Sequence, residues 1–354
     1  MRDLMLSSVV LVVLSATAFG QSAPARIDVT KLGPQVGETI ANFRLQDQRG
    51  AMWTRDGLMG PNGLMLVFSR SADWCPYCKT QLVELQSRLP DLRKKGLGLA
   101  VVTYDSPAIL ADFSRRRSIT FPLLSDSGSA TIKTFGILNT TVDPTSTNYG
   151  IPFPGTFIVN RRGVVTARFF EEAYQERNTV SSILLKLGDA DRAVDAQQIT
   201  TDHMAMTTYV SDQVVAPGSL FSIVADITPR PGMHVYAPGN HDYKVVAFRL
   251  NAQPFLQMRP VRYPASEIYV FKPLNERVEV FQKPFRLTQD VSFDASPDAR
   301  KALASVENVS ITGVLEYQAC DDTTCYLSKA VPVAYSVKVR QLDTERATPA
   351  GAPR

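Results

Sequence analysis

The four cysteines of this chain fall into two close pairs, Cys75 with Cys78 and Cys320 with Cys325, with most of the protein lying between them. A structural cross-link acts mainly by closing a loop in the unfolded chain, and it gains more as that loop lengthens. Two very short loops gain little. The arrangement therefore points to cysteines that pair in order to react, and an even number of them in an exported chain fits that reading.

Export is expected from the first twenty residues. Arg2 precedes an uncharged apolar run over residues 4–19, shorter than the roughly twenty residues that span a bilayer. Ala16, Ala18 and Gly20 follow the order of a secretory signal peptide, with cleavage expected after Gly20. Asp3 weakens the positive start and leaves an uncleaved N-terminal anchor as the alternative. The predicted location is the periplasm or the outside of the cell. No later segment is apolar enough to span a membrane. The formal charge of +4 over 354 residues, without a dense basic block, argues against nucleic acid as a partner. Arg115-Arg116-Arg117 and Lys94-Lys95 read as solvated helix faces.

The chain is long for one core and suits two domains. Residues 1–20 are the expected signal peptide and 21–35 a linker. Over 36–188, apolar runs alternate with helical spacing. Strands are expected at 63–68, 97–104, 156–159 and 164–170, and an extended segment at 121–124. Helices are expected at 76–89, 108–117, 129–135 and 178–187. That order predicts an α/β domain. Residues 189–204 read as a second linker. Over 205–340, Gly and Pro punctuate short runs of period-2 alternation, including 220–225, 278–281, 309–314 and 331–339, which predicts an all-β sandwich. Residues 341–354, rich in Pro, Ala and Gly, read as a disordered tail.

Cys75-Pro76-Tyr77-Cys78 follows an apolar strand and opens a helix. The helix N-terminus favours a thiolate at Cys75, and Cys78, one turn on, can resolve a mixed disulfide. Pro76 suits the first helical turn, where its missing N–H has no partner to lose. Trp74 offers an apolar docking surface. The rival reading, half of a zinc site, needs four ligands, and the three histidines, His203, His234 and His241, all lie in the other domain. No metal and no cofactor are expected.

The run Ser71-Ala72-Asp73-Trp74-Cys75-Pro76-Tyr77-Cys78-Lys79 resembles the thioredoxin-like redoxin (AhpC/TSA) superfamily, over about residues 36–188. The resemblance implies a thioredoxin-like fold. It also implies a cis-proline segment at Tyr149-Gly150-Ile151-Pro152-Phe153-Pro154-Gly155, with Pro154 as the cis residue against the cysteine pair and Pro152 as its rival. Phe153 backbone groups would then pair with an incoming peptide, so Trp74, Pro76, Tyr77, Phe153 and Pro154 are the expected substrate-binding residues. Peroxiredoxins share the superfamily and resemble the stretch Phe121-Pro122-Leu123-Leu124-Ser125-Asp126. Their catalytic cysteine, however, follows Pro-x-x-x-Thr/Ser-x-x-Cys. Here Phe68 and Ala72 stand at the proline and hydroxyl positions, which favours disulfide exchange over peroxide reduction.

Tyr317-Gln318-Ala319-Cys320 followed by Asp321, Asp322 and Cys325-Tyr326 resembles the N-terminal periplasmic domain of the disulfide reductase DsbD. So does Pro231-Gly232-Met233-His234-Val235-Tyr236. The likeness covers about residues 205–340 and implies an immunoglobulin-like sandwich whose cysteines, Cys320 and Cys325, are a second reactive pair. A static hairpin staple is the plainer alternative. The expected function is an exported thiol–disulfide oxidoreductase whose two pairs relay electrons, with protein thiols or disulfides and an external redox protein as partners. The alternatives are an AhpC/TSA-type thiol peroxidase and a non-enzymatic binding module with two stapling disulfides.

Overall fold

Strand Gly63–Phe68 (β3) is buried along its whole length and carries a side chain to each face in turn. Met65 and Val67 enter one core; Leu64, Leu66 and Phe68 enter the other. A strand read from both sides must be continuously apolar, and this one is. The computed structural model describes residues 27–188, 195–271 and 276–347. The expected signal peptide lies outside the described residues, as do residues 348–354.

Around β3 the first half builds β1 (Arg44–Asp47), β2 (Met52–Thr54), α1 (Pro76–Ser87), α2 (Leu89–Lys94), β4 (Leu97–Thr103), α3 (Pro107–Arg117), β5 (Leu123–Ser125), α4 (Ala130–Thr134), β6 (Gly155–Val159), β7 (Val165–Phe170), β8 (Arg177–Asn178) and α5 (Val180–Lys186). Seven strands form one mixed sheet in the order β2-β1-β5-β4-β3-β6-β7. β3, β4 and β5 run parallel, and β6 returns antiparallel to β3. Helices α1, α2, α3 and α5 bury Leu82, Leu85, Leu92, Leu110, Phe113 and Ile183 on one face, while α4 covers the other with Ile132. This is a thioredoxin-like arrangement. The single helix expected at 76–89 breaks at Arg88, and a second begins with Pro90 in its first turn, where a missing N–H costs nothing.

The second half is mostly strands: β9 (Gln197–Thr200), β10 (Met204–Val210), β11 (Val214–Val215), β12 (Ser219–Pro229), β13 (His234–Tyr236), β14 (Ala247–Leu250), β15 (Leu256–Arg262), β16 (Glu267–Phe271), β17 (Glu276–Phe281), β18 (Phe285–Phe293), β19 (Asn308–Tyr317), β20 (Ala319–Cys320) and β21 (Lys329–Val339), with one helix, α6 (Pro297–Leu303). The strands form sheets ordered β15-β18-β12-β10-β9, β11-β21-β19-β14 and β16-β17-β13-β20. One core joins them, with Phe221, Ile223, Leu287 and Val291 meeting Ile311, Leu315, Val333 and Val337. β21 alternates buried and exposed residues along its length, as a strand with one wet face must.

The two halves are stitched together by main chain. β8 lies parallel to the start of β12, with Arg177 N–H donating to Gly218 O at 2.8 Å and Thr179 N–H to Leu220 O at 2.9 Å. Beneath this junction Asp290 accepts from Ser222 Oγ at 2.7 Å and pairs with Lys186 of α5 at 2.9 Å.

Three expectations for the connecting segments are corrected. Residues 197–200 of the expected second linker are strand β9, zipped to β10. Residues 29–35 of the first linker are held by Arg168, which donates to the carbonyls of Val29, Thr30 and Leu32 and to Gln35 Oε1. Residues 342–347 of the expected tail are fixed against α1, the turn before it and Arg117 of α3, where charged and main-chain bonds replace the apolar pattern that would have marked them.

Candidate functional site

The loop entering α1 is positioned by one buried carboxylate. Asp105, two residues past the end of β4, accepts from Ser71 Oγ at 2.8 Å, Thr103 Oγ1 at 3.0 Å and the Ala72 N–H at 2.6 Å. Burial pushes the Asp105 carboxyl above its ordinary range, against the pull of these donors. Ser71 Oγ in turn accepts from the N–H groups of Asp73 and Trp74. The turn is thereby fixed before the helix begins.

Cys75 is the N-cap of α1, and its sulfur accepts the Cys78 N–H at 3.3 Å. Pro76 occupies the first helical turn, as expected. Cys75 and Cys78 form a disulfide. Both sulfurs are shielded: Cys75 is 2% exposed and Cys78 not at all. Arg177 brings Nη2 to 3.5 Å from Cys78 Sγ. Burial, and then the nearby Arg70, lower the Arg177 guanidinium to about 9. Arg70 itself stacks over Trp74 and Tyr174 at 4.9 and 4.2 Å. Trp74 is half-buried and donates Nε1–H to Tyr104 Oη at 2.8 Å.

The cover over the pair comes from the second half of the chain. Cys75, Tyr77 and Cys78 cluster with Ala295, and Trp74 and Leu342 pack against them. Tyr77, expected to meet substrate, donates its hydroxyl to Ala295 O at 2.9 Å. Pro154 is buried and lines a small cavity with Gln81 and Arg177. The cis-proline expectation is corrected: no cis peptide bond occurs among the described residues. The trans form is the lower-energy one for X–Pro by roughly 0.5–1 kcal/mol. The Phe153 N–H is also committed, donating to Ile137 O at 2.7 Å, so it does not await a peptide. Position 72 carries a fully buried alanine, and Phe68 is deep in the sheet core.

The second pair also forms a disulfide, Cys320–Cys325. β20 pairs with β13, setting Cys320 opposite His234. Tyr236 Oη lies 2.9 Å from Cys320 Sγ and 3.5 Å from Cys325 Sγ. Burial, with Tyr243 and Glu276 nearby, holds the Tyr236 phenol far above its ordinary range, so it remains protonated. Tyr243 stacks on Tyr236 at 4.1 Å. Together with His234, Tyr269 and Glu276 they line a cavity of about 200 Å³ beside the disulfide. Cys320 is buried and Cys325 exposed. Among the described residues the two disulfides sit in separate clusters of buried side chains, so the structure does not bring the pairs together.

Arg177, Arg70, Asp105, Ala295 and the 342–346 segment are site residues that sequence reasoning missed. None carries a local motif. Among the described residues no group of three or more His, Cys, Asp or Glu side chains could hold a metal ion, and no helix is long and apolar enough to cross a membrane.

A disulfide at the N-terminus of a helix, fed by the central strand of a mixed sheet, defines a thioredoxin-like redox protein. The AhpC/TSA family model matches residues 36–168. Over 138 residues the chain is 30% identical to alkyl hydroperoxide reductase E of Mycobacterium tuberculosis, covering 38% of this chain and 84% of that protein. It is 25% identical over 165 residues to the thiol-disulfide oxidoreductase ResA of Geobacillus thermodenitrificans, covering 46% of this chain and 85% of that one. A solved thiol peroxidase from Chromobacterium violaceum superposes with a TM-score of 0.37 at 22% identity, over 44% of this chain and 90% of that one. The chain belongs to the AhpC/TSA family, and its class of activity is that of an oxidoreductase. The family match ends at residue 168, ahead of the β-rich half.

Proposed function

We propose that the protein is an exported thiol–disulfide oxidoreductase acting through Cys75 and Cys78. The observation that carries this is the Cys75 sulfur at the helix N-cap, accepting the Cys78 N–H, with the Arg177 cation beside Cys78. In the reduced protein the Cys75 thiolate attacks a partner disulfide. One partner sulfur leaves as thiolate, and a mixed disulfide forms. Cys78 then displaces the second partner sulfur and closes Cys75–Cys78, so two electrons pass to the partner. The reverse sequence oxidises a partner dithiol. Trp74, Pro76 and Tyr77 are the apolar residues nearest this exchange in sequence, and Trp74 and Tyr77 pack with the pair. The leader over residues 1–20 carries the chain to the periplasm or beyond.

The resemblance of residues 205–340 to the DsbD N-terminal domain supports an immunoglobulin-like sandwich with Cys320–Cys325 as a second exchange pair. The exposure of Cys325 and the Tyr236 hydroxyl at both sulfurs favour a reactive pair over a staple. Because the pairs sit in separate clusters, electrons pass between them through a separate redox protein.

The test is a Cys78→Ser variant, which cannot resolve the intermediate. It accumulates a mixed disulfide at Cys75 when mixed with periplasmic or secreted proteins, read on non-reducing gels and by mass spectrometry. Absence of any Cys75 adduct across a range of thiol–disulfide buffers refutes exchange. The similarity to alkyl hydroperoxide reductase E keeps peroxide reduction as a second reading. Against it, Ala72 offers no hydroxyl to orient a peroxide. Stopped-flow consumption of hydrogen peroxide with a thiol donor separates the two readings.

A further inference from the structure

Residues 340–347 leave the last strand and cross onto the redox helix. Arg340 N–H still donates to Val215 O, and Gln341 Nε2 to Leu303 O, both within the β-rich half. Beyond that point the segment makes hydrogen bonds and ion pairs to the first half. Leu342 packs against the cluster formed by Cys75, Tyr77 and Cys78. The Asp343 N–H donates to Thr80 Oγ1 at 3.0 Å, and its carboxylate pairs with Arg117 at 2.6 Å and with the buried Lys79 at 3.8 Å. Lys79 Nζ donates to the Glu345 carbonyl. Arg346 pairs with Asp73 at 2.5 Å, and the Ala347 N–H donates to Asp73 Oδ1 at 2.7 Å. Burial pushes the Asp73 carboxyl upward, but these two donors outweigh it and hold the group below its ordinary range.

Three of these bonds use the segment's main chain: two N–H donors and one carbonyl. Main-chain bonds are indifferent to sequence, and side-chain pockets add the choice of partner, which is how extended peptides are recognised. The segment lies outside any helix or strand. Its receiving groups, Asp73, Lys79 and Thr80, flank the two cysteines on the same turn of chain.

We propose that the surface formed by Asp73, Lys79, Thr80 and Arg117 beside Cys75–Cys78 is a peptide-docking groove, occupied here by the chain's own residues 341–347. The partner it fits is an extended polypeptide presenting an apolar side chain to the disulfide, a carboxylate to Lys79 and Arg117, and three residues later a cation to Asp73. The self-segment competes with that partner and shields the disulfide until displaced. Any redox step on a docked partner rests on the proposed exchange at Cys75 and Cys78; the groove itself does not.

The test uses the full chain carrying Leu342→Gly, Asp343→Asn and Arg346→Ala, with its disulfides oxidised. Reduction by dithiothreitol is followed at each pair by alkylation and mass spectrometry, with Cys320–Cys325 as the internal control. Reduction of Cys75–Cys78 is expected to rise about tenfold over the unaltered chain, as for a site freed from a local closed state, while the control pair keeps its rate. A synthetic peptide of residues 341–347 is expected to restore the slow rate saturably, and a scrambled peptide of the same composition to leave it fast. An unchanged Cys75–Cys78 rate, a parallel rise at both pairs, or failure of the peptide to restore protection overturns the groove. Binding of the labelled peptide, read by fluorescence anisotropy, requires no redox chemistry. If the peptide binds and protects while Cys78→Ser traps no partner, the groove stands and the exchange reading fails.

Discussion

Tyr77 donates its hydroxyl to the Ala295 carbonyl at 2.9 Å, a bond spanning 218 residues of sequence. A side chain between the two cysteines of the Cys75–Cys78 disulfide thus clamps the β-rich half onto the turn that carries them. Ala295 follows β18, whose register with β12 is continuous from Leu220 to Ile227, so the clamp is backed by a full sheet.

Removing that hydroxyl tests the clamp. Tyr77→Phe keeps the ring packed against Tyr174, at 6.3 Å, and deletes one hydrogen bond. A single intramolecular bond contributes about 0.5–1.5 kcal/mol, and the Ala295 carbonyl is left without this donor. A loss of about 1 kcal/mol in urea unfolding is expected by that measure, with an unchanged m-value. A loss near zero means the ring alone holds the contact.

Arg177 sets its guanidinium 3.5 Å from the buried Cys78 sulfur. Its guanidinium keeps its proton up to about 9, so it is charged at neutral pH. In the reduced protein it stabilises negative charge on Cys78. Arg177→Gln is expected to slow alkylation of Cys78 at pH 7 about tenfold, the effect of one unit in thiol acidity. Cys325, in the other half, keeps its rate and serves as the control. Equal slowing at both cysteines contradicts the assignment.

Glu84 gives the interface between the halves a pH dependence. It accepts the Val180 N–H at 2.7 Å. Burial, reinforced by Asp212 of the other half, pushes its carboxyl up to about 8. The folded protein then binds a proton that the unfolded chain releases in the ordinary carboxylate range. Stability is full below that range and declines as pH rises toward about 8. Glu84→Gln keeps an acceptor for Val180 and removes the charge. Midpoints of urea unfolding for the variant and the unaltered chain are expected to agree near pH 4 and to separate in favour of the variant by pH 8. Identical curves at both ends of the range exclude this role.

What the sequence discloses depends on how local the determinant is. β3 is legible because burial on both faces demands an unbroken apolar run. The Cys75 turn is legible because its strand, N-cap and resolving cysteine are adjacent. β1 and β2 are not, since Arg44, Gln46, Met52 and Thr54 are exposed and the strands span only three or four residues. Residues 341–347 look like a tail because their anchors, Asp73 and Lys79, lie more than 260 residues away in sequence. Arg177 is one arginine in a polar stretch, and only the β8–β12 pairing places it beside Cys78. The expected pairing of the Phe153 N–H with a peptide failed for the same reason, because that N–H is claimed by Ile137, which no motif announces.

The Cys320–Cys325 pair carries its own test of reactivity. Tyr236 Oη approaches both sulfurs, at 2.9 and 3.5 Å, and burial keeps this phenol protonated through the physiological range. When the disulfide is reduced, a protonated phenol donates to a Cys320 thiolate, and a hydrogen bond to a charged group contributes about 1.5–3 kcal/mol. Tyr236→Phe preserves the stack on Tyr243 and deletes that donor. Alkylation of Cys320 in the reduced variant is therefore expected to slow by roughly tenfold or more at neutral pH. Cys75 and Cys78, which sit in a separate cluster, keep their rates. If the pair were only a staple, the hydroxyl would pack against an inert bridge. Tyr236→Phe would then alter unfolding midpoints alone, leaving the alkylation rate of Cys320 in the reduced protein where it was.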